Sequence, residues 1–467
     1  METIGLIMGH RNGFPQKLCL EARKRIIKVL KEEKINAIML SPEVTPYGTV
    51  SNFEEAKKCA KLFTQHREKM IGIIVSLPNF GDERSITESI KRSELKVPVL
   101  IHAFQDNLNE LSPSKRRDSF CGKISVCNNL FQSGIKYSLP SQHVADPESE
   151  QFRTDLRRFV QTCRITNGLK NVRFGQIGIR PADFATVRYS EKLLERHSIT
   201  VETLDLSDLL AQTDKIKENE IETKNKLEEI QNYLPSASVS AKSMMKMAKI
   251  GVAIDHFIKE KELLGIAIQC WSSLQNNYGI MPCALMSMLS NNMVSSACET
   301  DISGLLGMHA LTLASQSPST LLDWNNNYGD SQDKSIVFHC SNIPKIFFTG
   351  TAKISYHACS VDEAAKERSV GTVNGIMKPQ RITFCRVSTD DYNGRLKTYI
   401  GEAEITDDKV DTYGGFGTIK IPNFQQLLKY ICKNGFEHHV AATSGEIGYA
   451  VNEAFSNYLD FDTYYHQ

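Results

Sequence analysis

The stretch 293–324, MVSSACETDISGLLGMHALTLASQSPSTLLDW, sets the strongest constraint on this chain, because each of its two apolar runs stops at an acid. Residues 293–298 are small or apolar and β-compatible, and they read as a buried strand that ends at Glu299. Asp301 then offers an N-cap, and Ile302, Leu305, Leu306, His309, Ala310 and Leu313 share one helical face. Pro318 closes that helix, and residues 320–322 lead into Asp323. The interval of 323 minus 299, or 24 residues, is the length of one strand, helix, strand crossover. Such crossovers join parallel neighbours, so Glu299 and Asp323 are expected to end adjacent parallel strands, at the crevice where open α/β sheets bind ligands. Two adjacent carboxylates repel. They require a shared proton or a cation between them.

The remainder supports an α/β class in which sheet strands alternate with helices. Strands are expected at 4–8, 37–40, 71–77 and 99–103, with helices at 16–34 and 52–66 between them, a doubly wound parallel sheet. The pattern restarts near Asn171 and again yields strands at 174–179, 199–204 and 263–270. After Trp324 it changes to short β-type runs separated by Gly, Asn and Asp turns, and two helices close the chain. The expectation is two Rossmann-like domains, 1–165 and 166–325, the second carrying Glu299 and Asp323. An antiparallel, barrel-like β domain, 326–467, follows and carries His439. A chain of 467 residues is too long for one core in any case.

Composition narrows the ligand. The 55 Lys and Arg against 54 Asp and Glu leave a net charge of +1, which gives no electrostatic reason to expect nucleic acid or an anionic membrane. No apolar run approaches the ~20 residues of a bilayer span. The first residues, METIGLIMGHRNGF, lack the cationic start of a signal peptide, so a cytoplasmic location and a small-molecule ligand are expected. Twelve cysteines form no C-x-x-C pair, and Cys270 and Cys340 read as reduced core residues. No G-x-G-x-x-G, no G-x-S-x-G elbow and no phosphate loop occurs, the GGFGT at 414–418 lacking the Lys-Ser/Thr pair.

A carboxylate at a strand end is commonly a cap or a surface ion pair, so the two acids need company. Glu437-His438-His439 supplies it, in an extended segment where neighbouring side chains point to opposite faces and only one imidazole reaches a given site. Two carboxylates and an imidazole, each ending its own element, form a mixed O and N set suited to Mn²⁺ or a similar divalent ion. His339, in VFHCSN, also ends a strand and is a candidate fourth ligand or substrate contact.

Within CETDISGLLGMHALTLASQSPSTLLDW and HHVAATSGEIGYA the chain resembles the L-fucose and L-arabinose isomerases. The first acid is followed by a polar-Asp pair and Gly, then Gly-Met-His on the helix and the second acid at the fucose isomerase interval. Gly445 and Gly448 follow the histidine at the family's spacing, which selects His439 over His438. The resemblance implies a cytoplasmic, metal-dependent aldose–ketose isomerase, Mn²⁺ being the expected ion. It makes Glu299, Asp323 and His439 the metal ligands, with Glu299 and Asp323 also the acid/base pair of a cis-enediol mechanism. It also implies a homo-oligomer, a hexamer or a trimer or tetramer, with active sites at subunit interfaces. His339 stands where arabinose isomerases place a further ligand. Arg11, on the loop after the first strand, is expected to contact substrate, where the family presents an arginine. The sugar stays open among L-fucose, L-arabinose, another pentose or hexose, and an anionic hexose such as sulfoquinovose, toward which Arg11, Arg180 and Arg188 point. A metal-dependent carbohydrate hydrolase and a non-catalytic sugar-binding protein are the competing readings.

Overall fold

The structure is a computed structural model that describes residues 1–357 and 363–467. The chain divides into two compact units, Met1–Asn167 with Glu453–Asp460, and Gly168–Asn452 with Phe461–Gln467.

In the first unit, β1 (Thr3–Met8), β2 (Asn36–Ile38), β3 (Met70–Leu77) and β4 (Val99–Ala103) form a parallel sheet in the order β2-β1-β3-β4. β1 and β3 are almost wholly buried, as expected when helices cover both faces. The helix Lys17–Glu32 buries Leu18, Cys19, Ala22, Ile26, Val29 and Leu30, one face at helical spacing. Each large aliphatic member of that face contributes about 1.5–3 kcal/mol on burial. Asn52 and Asp82 cap the next two helices, accepting from the amides of Glu55 and Ser85. The segment Glu453–Asp460 belongs to this unit because Ser138 Oγ donates to Glu453 and Asn457 Nδ2 donates to the carbonyl of Tyr137.

The second unit holds two sheets. β5 (Val172–Ile177), β6 (Ile199–Leu204), β7 (Gly265–Ile268) and β8 (Ser295–Cys298) are parallel, in the order β6-β5-β7-β8. The other strands are β9 (Ser319–Asn327), β10 (Lys334–His339), β11 (Lys353–Tyr356), β12 (Val370–Ile376), β13 (Gln380–Asp390), β14 (Arg395–Thr406), β15 (Gly415–Lys420), β16 (His439–Ser444) and β17 (Asp462–Tyr465). They make a mixed sheet in the order β11-β12-β15-β10-β9-β16-β13-β14-β17, in which β12–β15 and β14–β17 pair parallel. β14 also pairs with β15 over Glu404–Thr406, so the path from β15 through β10, β9, β16, β13 and β14 returns to β15.

The strand that leads to Asp323 differs from expectation. β9 is not a parallel neighbour of β8; it lies in the mixed sheet, antiparallel to β10 on one edge and to β16 on the other. β8 is the edge strand of the parallel sheet, paired with β7. The helix Ile302–Ser315 therefore crosses between sheets rather than back over one. The physical reason is pairing length. Nine residues of β9 find two long antiparallel partners, whereas β8 offers four residues, and an apolar run of three does not encode which partner it takes. Residues 345–348, in the stretch where short β-type runs are expected, instead contain a 3₁₀ turn, Lys345–Phe347.

Candidate active site

Glu299 follows β8 directly, and the chain turns there through two left-handed residues, Glu299 at φ 58° and Thr300 at φ 54°. Non-glycine residues in that region are held by their surroundings at a cost of about 1–3 kcal/mol each, and such positions cluster at functional sites. The turn is fixed downstream by Asp301, whose Oδ1 accepts the Gly304 amide at 2.8 Å and caps the helix Ile302–Ser315. Gly304 is required there. A Cβ on it would stand 2.5 Å from Asp301 Oδ2 and 2.9 Å from Arg386 Nη1.

His439 opens β16 directly opposite Asp323 on β9, so register alone sets these two residues side by side. His439 Nε2 lies 3.2 Å from Glu299 Oε2 and 3.2 Å from Asp323 Oδ1. The structure thus brings Glu299, Asp323 and His439 together, although the acids come from different sheets. A ring nitrogen of His339, at the end of β10, lies within 4.8 Å of donor atoms of both Asp323 and His439. His438 points to the more exposed side of β16, with Nε2 3.6 Å from Asp323 Oδ1. Trp271, after β7, donates its indole N–H to Glu299 Oε1 at 3.1 Å.

Behind the imidazole lies a buried charge network that sequence reasoning missed. Asp301 Oδ2 accepts the Nδ1–H of His439 at 2.8 Å, and the same carboxylate is paired with Arg386, which is fully buried in β13. Arg386 Nε donates to Glu437 Oε2 at 3.0 Å, and Ser388 Oγ donates to that same oxygen. Burial alone would raise the Asp301 carboxyl, but Arg386 and His439 outweigh it and hold it well below the usual range. Burial would likewise lower the His439 imidazole, yet Asp301, Asp323 and Glu299 hold it well above its ordinary value. A signal for the network was present, since an arginine in the apolar strand ITFCRVS shares a face with Phe384 and can be accommodated only by buried acids.

These contacts define what the site can hold. With Nδ1–H committed to Asp301, the other nitrogen of a neutral His439 presents a lone pair to two carboxylate oxygens. Glu299 Oε2 and Asp323 Oδ1 are buried and make no hydrogen bond, and neither does His339 Nε2. Lone pairs facing lone pairs need a cation, either a proton or a metal ion, and a carboxylate that accepts the far N–H of the ring is the usual support of a metal-ligating histidine. The donor set, two carboxylates and an imidazole, suits a hard or borderline divalent ion. His339 differs from His439, because its Nδ1 accepts the Cys340 amide N–H at 2.9 Å, leaving the proton of a neutral ring on Nε2.

Of the expected arginines, Arg11 lies in the first unit, where its guanidinium pairs with Glu83 and stacks 4.1 Å over Phe80. Arg180 and Arg188 lie on the loop after β5 and donate to carbonyls of that loop, Pro181, Ala182 and Ala185. Phe184 on the same loop contacts the His438 ring, with centroids 6.4 Å apart.

Residues 5–170 match the family model for the fucose/sulfoquinovose isomerase N-terminal domain, and residues 337–466 match that for the L-fucose isomerase C-terminal domain. With the relatives that follow, this makes the protein an aldose–ketose isomerase. The sulfoquinovose isomerase of Alkalicoccus urumqiensis is 22% identical over 391 residues, covering 82% of this chain and 83% of that one. The sulfoquinovose isomerase of Priestia megaterium is 25% identical over 360 residues, covering 75% of this chain and 76% of the relative. The chain belongs to the fucose isomerase-like family.

Proposed function

We propose that this enzyme interconverts a 6-sulfonated aldohexose, sulfoquinovose, and its ketose, using a divalent ion, Mn²⁺ expected, held by Glu299, Asp323 and His439. The observation that carries the reading is the convergence of two buried, unbonded carboxylate oxygens on one imidazole nitrogen at 3.2 Å each. The names of the relatives support the sugar. A divalent ion held there would polarise the carbonyl and acidify the neighbouring hydroxyl of an open-chain sugar. Glu299 and Asp323 then take a proton from C2 and return one to C1, passing through an enediol, each contributing about 10²- to 10⁴-fold. Asp301 holds the His439 ring in one tautomer, and the Trp271 indole fixes the Glu299 rotamer. His339, with its proton on Nε2, is assigned to a substrate oxygen rather than to the ion.

Arg180 and Arg188, with no carboxylate partner among the described residues, are assigned to the sulfonate, since their loop touches His438. We read the closed path of C-terminal strands as a small barrel that supports this site, and the protein as a cytoplasmic homo-oligomer in which Arg11 reaches a neighbouring copy's site. The test is a panel of aldoses, sulfoquinovose included, incubated with Mn²⁺ in D₂O. Solvent deuterium at C1 or C2 of recovered sulfoquinovose is expected. Turnover without exchange, or hydrolysis products, would refute enolisation, and faster turnover of L-fucose would refute the sugar.

A further inference from the structure

Four cysteines outside the isomerising set converge in the second unit. Cys270 lies just after β7, Cys283 opens the helix Cys283–Asn291, Cys298 ends β8, and Cys340 follows β10. All four are buried, three of them completely and Cys340 at 8% exposure. The sulfurs of Cys283, Cys298 and Cys340 lie within 4.8 Å of one another, and Cys298 Sγ is 3.3 Å from Cys270 Sγ.

Packing alone asks of a core cysteine only that it fill volume as a small hydrophobe. It does not require sulfurs from three separate elements to gather within 4.8 Å with a fourth set against one of them, and S–H groups are weak donors that gain little from one another. A tetrahedral metal with M–S bonds of ~2.3 Å places its thiolates about 3.8 Å apart, a spacing that the 4.8 Å group of Cys283, Cys298 and Cys340 can accommodate, with Cys270, against Cys298 at 3.3 Å, as the fourth sulfur. An iron–sulfur cluster would spread the four thiolates over two or four irons and hold sulfurs on different irons farther apart than a single ion does. An all-sulfur tetrahedral set selects a borderline-soft ion and rejects Mn²⁺ and Mg²⁺.

We propose that Cys270, Cys283, Cys298 and Cys340 form a second metal site, a mononuclear tetrathiolate centre that takes Zn²⁺ and is structural rather than catalytic. Binding is not a redox step. Four S–H bonds break, four Zn–S bonds form, and the four protons leave to solvent, giving a complex of charge −2. Its role follows from the chain, because Trp271, Glu299 and His339 are each the immediate neighbour of one of these cysteines. The ion would join the edge of the parallel sheet to the end of β10 and hold the left-handed turn at Glu299 in place.

The experiment uses the full-length enzyme purified from cells supplied with both zinc and manganese, then dialysed against EDTA. Elemental analysis is expected to find one zinc per chain retained after manganese has been removed, and X-ray absorption at the zinc edge to find four sulfur neighbours at about 2.3 Å. Cys283→Ser, remote in sequence from the isomerising residues, should lower retained zinc at least ~10-fold, the scale of a damaged metal site. If that variant does not fold, the wild-type measurements decide alone. Chelated protein that holds no zinc while all twelve of its thiols titrate as free on unfolding, zinc bound only by oxygen and nitrogen, or a Cys270–Cys298 disulfide would each overturn the proposal. Sugar turnover is scored separately, so failure here leaves the isomerase reading intact, and the reverse also holds.

Discussion

Replacing Asp301 with Asn isolates the carboxylate behind the imidazole, because Asn keeps the shape and can still cap Gly304. Asp301 is fully buried and serves three partners at once, the Gly304 amide, Arg386 and His439 Nδ1. Loss of a carboxylate that orients a ligating histidine typically weakens metal binding 10- to 100-fold, or about 1.4–2.7 kcal/mol. A second cost falls on the metal-free fold. Arg386 would keep Glu437 at 3.0 Å but lose its other carboxylate. Full disruption of a buried pair costs about 3–5 kcal/mol, so partial disruption here should cost about 2 kcal/mol. The two effects separate experimentally, by Mn²⁺ titration calorimetry on one hand and by chemical unfolding in EDTA on the other. Both should move. If Mn²⁺ affinity stays within about twofold of wild type while stability falls, Asp301 serves Arg386 alone and the orienting role is wrong.

Glu299→Gln and Asp323→Asn should each lower kcat by about 10²- to 10⁴-fold with an unchanged circular dichroism spectrum, and near-normal turnover in either would remove it from the acid/base pair. Because His439 is held protonated well above its ordinary pKa in the metal-free protein, an ion must displace that proton. Apparent Mn²⁺ affinity should therefore fall about tenfold per unit as pH drops below that raised pKa and level off above it; a titration flat from pH 6 to 8 would contradict this. Gly304→Ala pushes a methyl to 2.5 Å from Asp301 Oδ2, so it should lower both the melting temperature and Mn²⁺ affinity, and a neutral result would mean the helix start shifts freely. Arg180→Ala should raise KM for sulfoquinovose at least ~10-fold with little change for an unsulfonated aldose, and equal effects on both would remove Arg180 from sulfonate binding.

Much of the second unit's chemistry was legible because its signals are local. The Asp301 cap is encoded within four residues, and the strand that ends at Glu299 lies inside the apolar run 293–298 as Ser295–Cys298. Alternation in an extended segment explains why Glu437 and His439 face inward together while His438 does not. What escaped was non-local. Arg386 lies 85 residues beyond Asp301, and nothing near either residue announces the pairing. The crossover between Glu299 and Asp323 had the correct length, yet length does not say whether the second strand joins the first sheet or another. The convergence of Cys270, Cys283, Cys298 and Cys340 was invisible for the same reason, as each sits in an ordinary apolar run and no short spacing links them.

The placement of Glu299 on one sheet and of Asp323 and His439 on another has a consequence for how the protein matures. A folding intermediate with only one sheet assembled would present an incomplete set of donors and would have no purchase on the ion. If an ion binds there as proposed, its capture would report the final docking event, and mass action on the docked form would add RT ln(1 + [ion]/Kd) to its stability. Cells short of the ion would be expected to accumulate a half-docked, protease-sensitive chain rather than an intact but idle enzyme.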